Sequence, residues 1–384
     1  MAVSRRIFVS GLLLVGLVSG GPAVARSDTA VAVSPGGDWA AYHKYLKELA
    51  AAGEFSGAVL VAKDGRTVLK KGYGMADSAR KEANTPETRF SIGSMNKMIT
   101  GVAIAQLVQK GKLSFQDKIG KYVKGFPREI ADKVTLHHLL THTSGVPEVP
   151  LKDGKLPAFT IDALMKEIVK QPLKFEPGAK MEYSSAGFTI LGAIVERAGK
   201  QDYADYVRKH ILKPARMHDT AFRAYTPSKV PHMAHPYALF DANGKWVGVP
   251  QPGGGPLPEG ELRDVGDEPS AATPGGGAIS TVGDMLKFSQ ALLGHKLLNA
   301  KLTETILEGK VPFGRPGGSG GMYGYGFSDQ KANGVRMVGH NGGTKGYWCQ
   351  LDMYPTKGYT VVILTNQDGA LFAPLRKSQD HVTL

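Results

Sequence analysis

Two β-rich blocks stand at opposite ends of this 384-residue chain, and each is too tightly connected to be anything but antiparallel. Gly57–Ala62 and Thr67–Leu69 flank Asp64-Gly65 and read as a hairpin. Val335 to His340, Tyr347 to Tyr354 and Tyr359 to Thr365 form the second block, with Pro355-Thr356-Lys357-Gly358 as a turn. Parallel strands would need crossovers of roughly a dozen residues, which these gaps do not allow. Between the blocks the signals are mostly helical, at 95–110, 135–141, 161–170, 185–198 and 202–211. The simplest architecture is an α+β fold: one antiparallel β-sheet made from both chain ends, flanked by helices, with an inserted mostly helical lobe. The α/β part then covers about 38–94 and 278–384, the lobe about 95–277, and a cleft lies between them.

Local signals mark several boundaries. Asp38 is placed to cap a helix with Trp39, Tyr42, Leu46 and Leu49 on one face, ending near Gly53. Thr281, with Asp284 three residues on, marks another helix start before Met285-Leu286-Lys287-Phe288. Residues 250–277 are rich in Gly and Pro and predict a long loop, with the glycine clusters at 253–255 and 275–277 reading as mobile. Ala370 to Leu384 looks too polar and too short for a helix packed on the sheet.

Residues 1–25 are set apart from the fold. Arg5-Arg6, the apolar stretch Ile7 to Val18 and Ala23-Val24-Ala25 make the pattern of a cleavable export signal, and Ser4-Arg5-Arg6-Ile7-Phe8 resembles its twin-arginine type. That stretch is shorter than the roughly 20 residues a membrane-spanning helix needs, and no later segment is long enough. The expected location is therefore periplasmic or secreted. Cys349 is the only cysteine, which excludes an intramolecular disulfide, and it reads as a small core residue. The net charge of +13 becomes +11 without the signal, since only Arg5 and Arg6 are lost. It is scattered, with no basic run or interleaved aromatics, so no nucleic-acid partner is expected.

Ser94-Met95-Asn96-Lys97 sits where an extended segment, Thr88 to Gly93, gives way to the apolar run Met98 to Val108. Residues i and i+3 share a helix face, and the first helical turn leaves N–H groups free for developing negative charge. The helix reads as apolar almost all round, which predicts a buried Lys97 whose amine loses its proton readily and can take one from Ser94. Ser78-Ala79-Arg80-Lys81 and Ser328-Asp329-Gln330-Lys331 repeat the spacing, but neither opens an apolar helix. His138 and His142, four apart, imitate a zinc pair without an acidic partner or third ligand, so no metal is expected. No phosphate-cradling glycine loop occurs, and no cofactor is predicted.

Taken with Ser94-Met95-Asn96-Lys97, the segments Thr141-His142-Thr143-Ser144-Gly145, Tyr183-Ser184-Ser185 and His340-Asn341-Gly342 resemble the serine β-lactamase and penicillin-binding protein superfamily, in its class C-like branch. The resemblance covers about residues 40–370 in matching order, including Gly275-Gly276-Gly277 to Ser280-Thr281 and Leu364-Thr365-Asn366. It implies the β-lactamase/transpeptidase-like fold, Ser94 as nucleophile, Lys97 as base and Tyr183 as proton relay. It further implies an oxyanion hole from the N–H groups of Ser94 and Gly343, and substrate binding by Ser185, His340, Asn341 and Gly342. Two departures stand out: His340 occupies the usual lysine place, and Ser185 an asparagine place. A histidine with an ordinary pKa of about 6.5 carries little charge at neutral pH, which weakens recognition of a free carboxylate; the serine hydroxyl, shorter and with fewer contacts than an asparagine, weakens the case for β-lactam hydrolysis and moves weight toward esters or short D-amino-acid peptides.

The resulting expectation is a serine hydrolase acting through an acyl-enzyme on a small ester, amide or short peptide. The alternatives are a D,D-carboxypeptidase or β-lactamase working on peptidoglycan peptides or β-lactams, and a non-catalytic peptidoglycan-binding or scaffold protein.

Overall fold

A computed structural model describes residues 37–150, 159–247, 259–313 and 320–383. The export-signal residues 1–25 and the glycines at 253–255 lie outside them. Helix α1 (Trp39–Ala51) starts where Asp38 accepts a hydrogen bond from the Ala41 amide, and buries Tyr42 and Leu46. Strands β1 (Gly57–Lys63) and β2 (Arg66–Tyr73) form the expected hairpin. Helix α2 (Asn96–Gln109) follows a 3-10 turn over Gly93–Met95, and its residues 96–107 are all buried. Helix α3 (Ser185–Gly199) is capped by the Ser184 hydroxyl, and helix α4 (Val282–Leu293) by Thr281.

The later strands are β3 (Val311–Phe313), β4 (Gly321–Tyr323), β5 (Ser328–Ala332), β6 (Val335–Thr344), β7 (Tyr347–Tyr354) and β8 (Tyr359–Thr365). They join the first hairpin in one antiparallel sheet of order β3-β4-β5-β6-β7-β8-β1-β2. The ends of the chain meet in the middle of it, with Gly57 opposite Thr365 and Lys63 opposite Tyr359. Strands β1 and β8 are buried on both faces. One face, with Ala58, Leu60, Val362 and Leu364, packs with Met98, Val102, Met285 and Phe288 of α2 and α4. The other, with Val59, Val61, Val361 and Ile363, packs with Tyr42 and Leu46 of α1.

Three expectations need correction. Helix α5 (Phe372–Thr383) does form at the C-terminal end, because Pro374, Ser378 and Val382 recur every four residues and give a narrow buried stripe despite the polar composition. Residues 202–211 are not one α-helix: Tyr203–Val207 passes into a wider π-turn over Arg208–Leu212. Part of the predicted 250–277 loop is strand, since Glu261–Asp264 pairs with Tyr237–Phe240 and Ser270–Ala271 with Ala224–Tyr225. Among the described residues no helix is long and apolar enough to cross a membrane.

Beneath α5 lies a buried acid. Asp352 is 1% exposed; Gln350 donates to one of its oxygens, and the other has no partner among the described residues. Burial pushes its pKa up to about 7. The folded state therefore holds a proton that the unfolded chain releases near pH 4, so this site costs stability progressively as pH rises through about 4 to 7. Asp352→Asn is expected to raise the melting temperature at pH 8 and leave it nearly unchanged at pH 4, measured by calorimetry at both values.

Candidate active site

Strand β6 is longer than its neighbour β5, which pairs only with Val335–Gly339. The segment His340–Thr344 thus keeps a free edge, and the turn carrying Ser94 lies against it. A Cβ at Gly342 would meet the Ile92 carbonyl oxygen at 1.9 Å and the Ser94 amide nitrogen at 3.1 Å. Gly93 sits at φ +48°, and a Cβ there would meet the Gly343 nitrogen at 2.6 Å. Only glycine permits this approach of two backbones. It brings the amides of Ser94 and Gly343 to one place.

Lys97 is the second residue of α2, three residues past Ser94, and is fully buried. Its Nζ donates to Ser94 Oγ at 3.1 Å, to Ser185 Oγ at 3.2 Å and to the Gly275 carbonyl at 2.6 Å. Burial pulls its pKa down to about 7, and the Glu148 carboxylate opposes that shift. The three donor bonds describe the protonated amine; as pH rises past about 7 it gives up one of those protons, and the lone pair so exposed can take the Ser94 proton. The glycines at 275–277, predicted as a mobile loop, are fixed instead. Asn96 donates to the Thr273 carbonyl at 2.9 Å and accepts from the Ala278 amide at 3.2 Å, while the Gly277 amide bonds the Gly93 carbonyl at 3.1 Å.

Tyr183 precedes α3 and presents its ring to Lys97, whose Nζ is 4.6 Å from the ring centroid. The residue is 36% exposed, so part of its ring reaches solvent. Its hydroxyl end is enclosed: burial holds the phenol pKa above its usual value, with the Ser94 hydroxyl drawing it back. At neutral pH it is a phenol. His142 stacks on this ring at 4.2 Å and accepts the Ser184 amide on Nδ1 at 3.1 Å. It is therefore held in place by Ser184, while His138 caps its own helix at Thr135; the two histidines are committed to separate backbone groups.

His340 is 3% exposed, and burial lowers its pKa to about 3, so it is neutral. Its Nδ1 donates to the Asn341 carbonyl and its Nε2 accepts from the Tyr323 hydroxyl at 2.9 Å. Neither nitrogen is left to donate to a substrate carboxylate, contrary to the role considered for it above. Asn341 supplies the carbonyl that fixes this tautomer. Ser185, expected to face substrate, turns its hydroxyl to Lys97.

Sequence reasoning missed Glu148, whose carboxylate accepts the Ser185 amide at 2.5 Å and the Ala186 amide at 3.1 Å. It caps α3 from a distant loop, and only its place just after Gly145-Val146-Pro147 hinted at the site. The two decoy motifs fall elsewhere. Ser328 lies on β5, where i and i+3 point to opposite faces, and the Ser78 amide is tied to the Tyr237 hydroxyl at 2.7 Å. Cys349 is buried with its thiol pushed up to about 12 by burial, so it is not a nucleophile.

The model of the family described as Beta-lactamase matches residues 43–382. The chain belongs to that family. PbpX of Bacillus subtilis (strain 168) is 32% identical over 83% of this chain and 71% of its own length. Penicillin-binding protein 4* of the same strain is 28% identical over 86% of this chain and 72% of its own length. Among solved structures, a penicillin-binding protein from Bacillus halodurans superposes with TM-score 0.73 at 28% identity, covering 88% of this chain and 98% of that one. Family membership brings the coarse function with it, a serine hydrolase of amide or ester bonds.

Two pH effects are expected of this β-lactamase-family site. Since Glu148 holds the Lys97 pKa up, Glu148→Gln should move the acidic limb of the pH dependence of kcat/KM below its wild-type position near pH 7. An unmoved limb would separate the two groups. Lys97 also costs stability below its unfolded pKa near 10.5, a cost that grows as pH falls to about 7. Lys97→Met is therefore expected to raise the melting temperature at pH 6 more than at pH 10, while abolishing turnover.

Proposed function

We propose that this chain hydrolyses an ester or amide through an acyl-enzyme on Ser94. The reading rests on one observation, a buried amine 3.1 Å from a serine hydroxyl at the start of a helix. Lys97 takes the Ser94 proton as Oγ attacks the carbonyl carbon. The Ser94 and Gly343 amides receive the negative charge on the carbonyl oxygen, an interaction worth about 10²–10³ in kcat per donor in related chemistry. Tyr183, beside Ser94 and Lys97, gives its phenol proton to the leaving group and is reprotonated by Lys97, and water then releases the acyl group by the reverse path, its proton returning to Ser94. Ser185 keeps the lysine aimed, while His340, Asn341 and Gly342 form the wall along which substrate lies.

The charge pattern favours substrates whose recognition does not depend on a free carboxylate. His340 is neutral with both nitrogens engaged, and Glu148 places a negative charge at the mouth of the cleft. Neutral or amine-bearing esters and amides, including those of D-amino acids, fit this field better than β-lactams or D-alanyl-D-alanine termini. The second reading, a D,D-carboxypeptidase or β-lactamase of the peptidoglycan, is favoured by the penicillin-binding relatives. An exported protein of the bacterial envelope accords with both readings.

Intact-mass analysis with peptide mapping tests the mechanism, after treatment with a fluorophosphonate and separately with a penicillin. A single adduct on the Ser94 peptide is expected, absent in Ser94→Ala and strongly slowed in Lys97→Ala. Adducts at Ser78 or Ser328 would refute it. For specificity, kcat/KM on a D-amino-acid ester with a free amine should exceed that on a cephalosporin, and Glu148→Gln should reduce the preference for the free amine over its N-acetyl form by about fivefold, as for an exposed charge pair. A cephalosporin turned over faster than the ester would select the second reading.

A further inference from the structure

The sheet face opposite Ser94 carries a device that no step above uses. Along β7, Tyr347 and Cys349 pack with the core that holds Ile92 and Met95, so Trp348 between them points the other way, toward α5. Its indole lies directly behind Gly343, where a Cβ would meet three of its ring carbons at 2.9–3.0 Å. The two residues are register partners across β6 and β7. What fixes the indole is Asp368, just past the end of β8 and 3% exposed. One carboxylate oxygen accepts Trp348 Nε1 at 3.0 Å and the Gly346 amide at 3.1 Å; the other accepts Trp246 Nε1 at 2.8 Å and the Leu239 amide at 2.9 Å. A carboxylate has about four acceptor sites, and all four are filled. They hold the turn between β6 and β7, the indole behind the oxyanion strand, and the segment around 239–246 that runs beside it.

We propose that Asp368 is a positioning residue for the oxyanion hole, acting through Trp348 on the Gly343 amide; this rests on the reading of Gly343 as an oxyanion donor. An amide donor stabilises the tetrahedral intermediate only if its direction is held as the oxygen moves toward it, and Gly343 has no side chain of its own to hold it. The indole supplies that backing from behind, and the carboxylate holds the indole at one end. Asp368→Asn is the sharp variant because it keeps the size but turns one acceptor end into an NH2 group facing two N–H donors. At least two of the four bonds are lost.

The test measures kcat and KM on an ester substrate together with affinity for phenylboronic acid. In that adduct Ser94 Oγ bonds boron, the serine proton passes to Lys97, and the tetrahedral boronate places an oxygen where the oxyanion forms. Asp368→Asn is expected to lower kcat and boronate affinity in parallel by about 10- to 100-fold, with KM within twofold of wild type, as for a misaligned oxyanion donor. Trp348→Phe keeps a ring behind Gly343 and leaves the other three bonds of Asp368 in place, so a smaller loss of the same pattern is expected; it decides the matter if Asp368→Asn does not fold. Unchanged kcat and boronate affinity in a folded variant would overturn the proposal, as would a rise in KM with kcat preserved. A wild-type protein that neither reacts with the boronate nor labels at Ser94 would instead remove the underlying reading.

Discussion

A lysine amine with only neutral oxygens for partners is the constraint around which this molecule is arranged. Lys97 bonds two hydroxyls and one carbonyl, and nothing in contact with it carries a full negative charge. Such an amine is costly as a cation and comfortable as a base. To keep it so, α2 must be apolar on every side, the sheet must cover one flank and the Gly275 segment must close another. The same burial that destabilises the charged form creates the reactive one, a trade commonly found where stability and activity compete.

Much of this was legible beforehand, and the parts that were not share a cause. Tyr347–Tyr354 and Tyr359–Thr365 were read to the residue because β-branched and aromatic runs bounded by a Pro-Gly turn leave little choice of register. Lys97 was readable as buried because an all-round apolar helix admits no exposed face. The glycines at 275–277 misled, since glycine signals freedom when isolated and close packing when its flanks are tied, as Asn96 ties Thr273 and Ala278 on either side of them. The bonds of Glu148 to the start of α3 and of Tyr323 to His340 were not legible, because each joins groups 37 and 17 residues apart with no local pattern that pairs them. Helix α5 was judged too polar and too short for a different reason: its stripe is one residue wide, and composition averages it away.

On β6, at the place where the family resemblance led to the expectation of a cation, His340 is held neutral by burial. With Nδ1 locked to its own strand and Nε2 to Tyr323, His340 acts as a neutral spacer between aromatic rings. Tyr183 packs among His142, His340 and Lys97, with His142 4.2 Å and Lys97 Nζ 4.6 Å from the centre of its ring.

The pairing of β1 with β8 has a consequence in time. Residue 57 meets residue 365, so the central ladder cannot zip until nearly the whole polypeptide has been made, and loop closure over such a separation slows the search. The edge that receives Ser94 belongs to the late half of that ladder. A nascent or truncated chain lacking β8 therefore has Ser94, Lys97 and the β6 edge already synthesised, but not the strand that joins the late half of the sheet to the early hairpin.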